Sequence, residues 1–275
     1  MRVVVTGASG FIGRHLMASL ANRGVDVLAV TRGGGADGFP HMTVKDYGET
    51  PEGDVLVHLA ENRDIAKAER ENESYISDSS GLLRGLLSKR YMNVIYASSA
   101  AIYGDANSYP RRPDEHVEPT GSYARAKLAS EKLVLDAGGA CVRLSNIYGP
   151  GMAANNVISD VLKQIPGKGP LVVRRASPIR DFLWVDDASE GIAEMVTNDA
   201  HGIYNMGSGK GVAIGDMARM ALKIAGEAER GIVSSDPSNK PSTLLLDISA
   251  TTAEFNWSPR VDLAAGLSRM IKEQK

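Results

Sequence analysis

The sequence is poor in residues that would tie it to several common settings. It has one cysteine, Cys141, in 275 residues, so no disulfide can form within the chain, and a reducing, cytoplasmic location is expected. That cysteine stands in the apolar run Ala140-Cys141-Val142 and reads as core packing. Charge of one sign is missing too: 31 Lys and Arg against 33 Asp and Glu leave a net -2, no footprint for nucleic acid or an anionic membrane. No apolar run reaches transmembrane length and the chain opens directly on a strand, so neither a membrane span nor a signal peptide is expected. The five histidines, at 15, 41, 58, 116 and 201, show no i, i+4 pairing and no cysteine company, which argues against a zinc-type site. Internal repeats and low-complexity tails are absent as well.

What is present is a chain large enough, at 43% hydrophobic content, for one large core or two unequal ones. Apolar runs at Val3 to Val5, Val25 to Val30, Val55 to Leu59, Val94 to Ala97 and Ala140 to Leu144 alternate with helical segments. That alternation predicts an α/β fold, a doubly wound parallel sheet of the Rossmann kind. The charged stretch Ile65 to Tyr75 reads as the solvated face of a helix. From about Gly149 the pattern breaks into Gly/Pro-punctuated pieces, which predicts a smaller irregular lobe. The expected division is a dinucleotide-binding domain over 1–149, with a return segment at 180–207, and a mostly substrate-binding lobe over 150–275.

The first strand runs into Thr6-Gly7-Ala8-Ser9-Gly10-Phe11-Ile12-Gly13 and then into an apolar-periodic helix with Leu16, Met17 and Leu20 on one face. A GxxGxxG turn between a strand and a helix is a dinucleotide site. Gly7 allows the tight turn, Gly10 keeps side chains off the pyrophosphate, and Gly13 lets the helix pack close with its N–H groups toward the anion. At the end of the second strand an NAD site ordinarily carries an acidic residue for the ribose hydroxyls. This chain has Thr31-Arg32 instead. NADP is therefore the expected cofactor and NAD the less favoured one, with Arg32 on the 2′-phosphate and Ser9 or Arg14 as helpers. The plainer alternative makes Arg32 a solvated residue before Gly33-Gly34-Gly35.

Tyr123 and Lys127 are one turn apart on one face of a helix-favouring stretch, and an ammonium near a phenol favours the phenolate. The spacing alone arises too often by chance to carry an assignment. It gains weight because it follows a strand ending Tyr96-Ala97-Ser98-Ser99, where a third catalytic group belongs.

With these motifs the chain resembles the extended short-chain dehydrogenase/reductase family, in its nucleotide-sugar epimerase/dehydratase/reductase branch. The similarity runs through Thr6 to Gly13, Asp54-Val-Leu-Val-His58-Leu59-Ala60, Ser98 to Gly104, Tyr123-x-x-x-Lys127, Arg143-Leu-Ser-Asn146-Ile-Tyr-Gly-Pro-Gly151, Arg180 to Asp187 and Tyr204-Asn205-Met206-Gly207. The resemblance implies Ser99 as the serine on the reacting oxygen, Tyr123 as acid/base, and Lys127 as the group that tunes Tyr123 and holds the nicotinamide ribose. It implies Asn146, Arg180, Lys240 and Ser99 on the sugar nucleotide. Leu59, Ala60 and Ala97 line the cofactor, Asp46 meets the adenine, and Arg63 joins the cofactor-binding set. A homodimer is expected.

The departures narrow the reaction. Dehydratases of the branch carry Thr-Asp-Glu where this chain has Ser99-Ala100-Ala101, so the extra acid and base for elimination are missing. Glu61 and Arg63 stand where small residues or a lysine are usual, and Asp78 where asparagine is. Lys240-Pro241 to Leu246-Asp247-Ile-Ser resembles a stretch of GDP-sugar reductase/epimerases, shortened. The expected function is NADP-linked reduction of the 4-keto group of a nucleoside-diphosphate hexose. A redox-neutral 4-epimerase holding NAD is the alternative within the enzymes, and a non-catalytic dinucleotide sensor or scaffold the alternative outside them.

Overall fold

The structure is a computed structural model that describes residues 1–61, 64–236, 238 and 240–273. Its strands are β1 (Arg2–Thr6), β2 (Asp26–Thr31), β3 (His41–Thr43), β4 (Val55–His58), β5 (Asn93–Ser99), β6 (Ala140–Leu144), β7 (Asn146–Tyr148), β8 (Leu171–Val173), β9 (Ile179–Trp184), β10 (Gly202–Met206), β11 (Gly211–Ala213), β12 (Ile232–Ser234) and β13 (Thr243–Leu244). Its helices are α1 (Phe11–Asn22), α2 (Ile65–Glu71), α3 (Glu73–Leu87), α4 (Ser122–Asp136), α5 (Val157–Leu162), α6 (Val185–Thr197), α7 (Ile214–Ala225), α8 (Ser249–Phe255) and α9 (Leu263–Glu273).

The apolar runs become seven strands of one sheet in the order β3-β2-β1-β4-β5-β6-β10, every neighbour parallel. Alternation divides β1 between two cores. Val3 and Val5 pack with Leu16, Met17 and Leu20 of α1 and Ile192 and Met195 of α6, while Val4 packs on the other face with Leu83 and Leu86 of α3 and Val134 of α4. A sheet covered on both faces leaves its strand ends as the place for a ligand.

A second group of strands joins β7, β9, β11 and β13, with β8 and β12 paired apart from it. Its core gathers Tyr148, Phe182 and Trp184 under α5, α7 and α9. Tyr148 stands edge-on to both aromatic neighbours. The chain returns to the main sheet through α6 and β10, whereas β9 at 179–184 lies in the smaller sheet. Only residues 180–184 of the expected return segment therefore lie in the smaller sheet.

Two local expectations are corrected. The helix after the glycine turn starts at Phe11, ahead of Gly13, with Gly10 as its N-cap. The charged stretch Ile65 to Tyr75 spans two helices, α2 and α3, separated at Asn72, whose φ of 45° breaks the helical run.

Candidate active site

The turn after β1 is shaped by what its glycines lack. Gly7 has a φ of +72°, and a Cβ there would come 3.0 Å from the backbone nitrogen of Ala60 at the end of β4. A Cβ on Gly13 would lie 2.2 Å from the carbonyl oxygen of Gly7. Helix α1 can thus begin directly over the strand end. No side chain caps it at Gly10, and among the described residues its first turn holds no acid. Its amides and the positive end of its dipole are left for an anion, so the turn fits the pyrophosphate of a dinucleotide. Ser9, Phe11 and Ile12 lie half-buried along it. Arg14 reaches back to the Ser9 carbonyl at 3.3 Å.

Beyond the end of β2, the Arg32 guanidinium lies 5.1 Å from the centre of the Tyr47 ring. Arg32 is exposed, and among the described residues no ion pair engages it. Thr31 is fully buried and its hydroxyl donates to the Gly34 carbonyl, so it closes the loop instead of facing a ligand. Asp46, next to Tyr47, accepts from the Gly48 amide at 2.7 Å. Leu59 and Ala60 close the β4 side of the turn. Arg63 lies outside the described residues.

Helix α4 carries Tyr123 and Lys127, and charged groups of other elements fix it at several heights. At its start, Glu69 of α2 accepts from the Ser122 amide at 2.7 Å, placing negative charge on the helix N-terminus. Glu69 belongs to the stretch read as solvated, so this is a structural role the sequence concealed. Farther along, Glu131 receives a two-pronged hydrogen bond from Arg143 of β6, at 2.9 and 2.7 Å, with the side chains 1% and 2% exposed. Such a fork fixes orientation as well as distance.

Between these anchors the Lys127 ammonium donates to the Ala97 carbonyl at 2.8 Å and pairs with the carboxylate of Glu61. It lies 5.9 Å from the Tyr123 ring centre and 4.8 Å from that of Tyr96. Burial works to lower the proton affinity of Lys127, but Glu61 and the other acidic groups outweigh it and hold the ammonium above its ordinary value. Ser99 ends β5 two residues past Ala97, and its hydroxyl accepts from the Ala101 amide at 3.2 Å. Ala97, Ser99 and Tyr123 are each half-buried at this end of the sheet. His58, opposite Thr6 at 2.7 Å, is pushed down to about 4 by burial and stands neutral behind the site.

From the smaller lobe, Arg180 on β9 donates to the Ser242 hydroxyl at 2.7 Å and meets Asp105 at 3.3 Å. Asn146 on β7 donates to the Asp181 carbonyl at 3.1 Å. Lys240 is exposed, and its carbonyl accepts from Arg175 at 2.9 Å. Several other residues of the shared motifs turn out to be scaffolding. Asp181 is fully buried and accepts from the Ser208 amide and hydroxyl and the Gly209 amide. Asn205 accepts from the Tyr103 hydroxyl and donates to the Arg111 and Asp247 carbonyls. These bonds tie loops to the strand ends from which the candidate side chains project. A separate cavity of about 480 Å³, lined by Phe182, Lys210, Val212, Met220 and Arg260 among others, includes none of the candidate residues.

A glycine turn that fits a pyrophosphate, with a Tyr–Lys helix and a strand-end serine at the same edge of a parallel sheet, defines the class: a Rossmann-fold enzyme dependent on a nicotinamide dinucleotide. Comparison with known proteins makes this specific. The chain belongs to the NAD dependent epimerase/dehydratase family, whose family model matches residues 3–207, within the extended short-chain dehydrogenase/reductases. It is similar to UDP-glucuronic acid decarboxylase 1 of Arabidopsis thaliana, 26% identical over 99% of this chain and 69% of that one. It is similar also to the dTDP-4-dehydro-6-deoxyglucose reductase of Escherichia coli, 23% identical over 98% of this chain and 96% of that one. The fold matches the Thermus thermophilus UDP-glucose 4-epimerase complex with NAD at a TM-score of 0.84, 23% identity, covering 99% and 98% of the two chains.

Proposed function

We infer that the protein reduces the 4-keto group of a nucleoside-diphosphate hexose, with NADPH as the reductant. The observation that carries the reaction type is the set Ser99, Tyr123 and Lys127 at one sheet edge with alanines, Ala100 and Ala101, where elimination chemistry would need an acid and a base. The nicotinamide, when bound, supplies the hydride. Tyr123 gives the proton to the oxygen that was the carbonyl, Ser99 donates a hydrogen bond to that oxygen, and Lys127 orients and charges the pair. Arg180, Asn146 and Lys240 are taken as the contacts to the diphosphate and sugar. The lobe over 150–275 serves as the substrate side, the part over 1–149 as the dinucleotide side, and the protein works as a cytoplasmic homodimer.

The preference for NADP rests on Arg32, stacked on Tyr47 with no acidic ribose ligand at Thr31. The family and the epimerase complex favour NAD, and with it a second reading: a 4-epimerase that keeps its cofactor and shows no net redox change. Supplying NADPH with a panel of nucleoside-diphosphate 4-keto-6-deoxyhexoses separates the two. Stoichiometric loss of reduced-nicotinamide absorbance supports the reductase, and an isomeric product without that loss supports the epimerase. Tyr123→Phe lowers turnover by a factor of about 10² or more while cofactor affinity stays close to wild type. A near-wild-type rate in that variant refutes the assignment of the proton donor.

A further inference from the structure

A buried carboxylate stands where the proposed chemistry has no stated use for one. Glu61, just past the end of β4, points its side chain to the inner side of α4, where it is 9% exposed. It pairs with the Lys127 ammonium, accepts a hydrogen bond from the buried Tyr96 hydroxyl, and accepts another from Ser130 at 3.2 Å. Its neighbour Ala60 is the residue on which the Gly7 turn closes, so Glu61 sits where the dinucleotide turn and the Tyr–Lys helix meet.

Stability does not explain this arrangement. Taking a carboxylate and an ammonium out of water costs about as much as their attraction returns, and an apolar pair of similar size packs as well. The arrangement does change what the pair feels. A lone buried ammonium beside a phenol draws the proton off the phenol, and burial also presses the ammonium to give up its own proton. A carboxylate in contact with the ammonium opposes both losses.

We propose that Glu61 is a positioning residue that keeps the Tyr123–Lys127 pair fully protonated, and therefore a proton donor, through neutral pH. This role rests on the reductase reading, because reduction of a ketone needs a donor whereas hydride abstraction from an alcohol needs a base. Among the described residues no other carboxylate is paired with the Lys127 ammonium, although Glu131 adds to its field from farther off. Burial keeps His58 neutral and holds Tyr75 and Tyr96 in their phenol forms. Glu131 is engaged by Arg143, and Glu69 by the start of α4.

The test is Glu61→Gln, which keeps shape and hydrogen bonding and removes the charge. In the cofactor-free protein, phenolate absorbance is titrated in the variant and in wild type, each against the same protein carrying Tyr123→Phe. The first proton lost from the pair leaves at a pH lower by about one unit or more in the variant. The alkaline limb of kcat/KM moves down by the same amount, while Glu61→Asp stays near wild type. Should Glu61→Gln not fold, Glu61→Ala, which removes the same charge and admits water, carries the measurement. An unchanged limb together with an unchanged titration in a folded variant overturns the proposal. The titration contains no sugar, so it stands if the substrate assignment fails.

Discussion

The turn between β1 and α1 is made by leaving side chains out, whereas the middle of α4 is made by burying charges. Both stand at the carboxyl edge of the same sheet. In the turn, Gly7 and Gly13 bring backbone against backbone, and one more carbon at Gly13 would sit 2.2 Å from an oxygen. In the helix, Lys127 and Glu131 are neutralised by Glu61 and Arg143, with every one of these side chains under a tenth exposed. A binding cradle for an anion needs only backbone amides at a fixed place. A proton donor needs a charge environment, and that must be assembled from several elements.

The contrast is broken most severely by removing one half of a buried pair. Glu131→Gln leaves Arg143 buried and charged without its counter-charge, and the free energy of unfolding falls by about 3–5 kcal/mol. Denaturant unfolding measures it, and a loss under about 1 kcal/mol would mean that the fork does not hold α4. A smaller effect is expected in the turn, where it reaches dinucleotide binding as well as folding. Gly13→Ala forces the turn to move, at a cost of about 1–3 kcal/mol, so dinucleotide affinity drops roughly tenfold to a hundredfold. Calorimetric titration giving wild-type affinity would show that the close approach is not needed. The smallest effect belongs to the one side chain at the mouth of the cradle. Wild type should bind NADPH at least about tenfold more tightly than NADH, and Arg32→Ala should erase most of that ratio, about 1.4 kcal/mol. Equal affinities in wild type, or an unchanged ratio in the variant, would remove Arg32 from the cofactor site.

What was legible in the sequence follows the same division. The glycine turn, the five long strands and the Tyr123–Lys127 spacing are local patterns, readable within a dozen residues, and each has its counterpart in the structure. The partners of α4 are not local. Glu69 lies 53 residues before Ser122 and Glu61 lies 69 before Ser130, and a charged run such as Lys67 to Glu73 looks like solvated surface until the fold turns one of its members inward. Strand β3, with only three residues and all of them exposed, carries no apolar signal and was missed for that reason. Motif residues such as Asp181 and Asn205 could be found by resemblance, but their work as buried acceptors and donors became visible only when the loops around them were placed.

By itself the sequence determined five of the main sheet's strands, the dinucleotide turn and the pairing of a phenol with an ammonium one helical turn away. Each depends on backbone conformation and periodicity, which neighbouring residues set. Only the tertiary structure decided which carboxylates reach that ammonium, that Arg180 meets Asp105 and Ser242, and that β9 leaves the main sheet for the smaller one. Those depend on what the fold excludes from water, since a charge becomes a determinant of chemistry only once solvent no longer screens it.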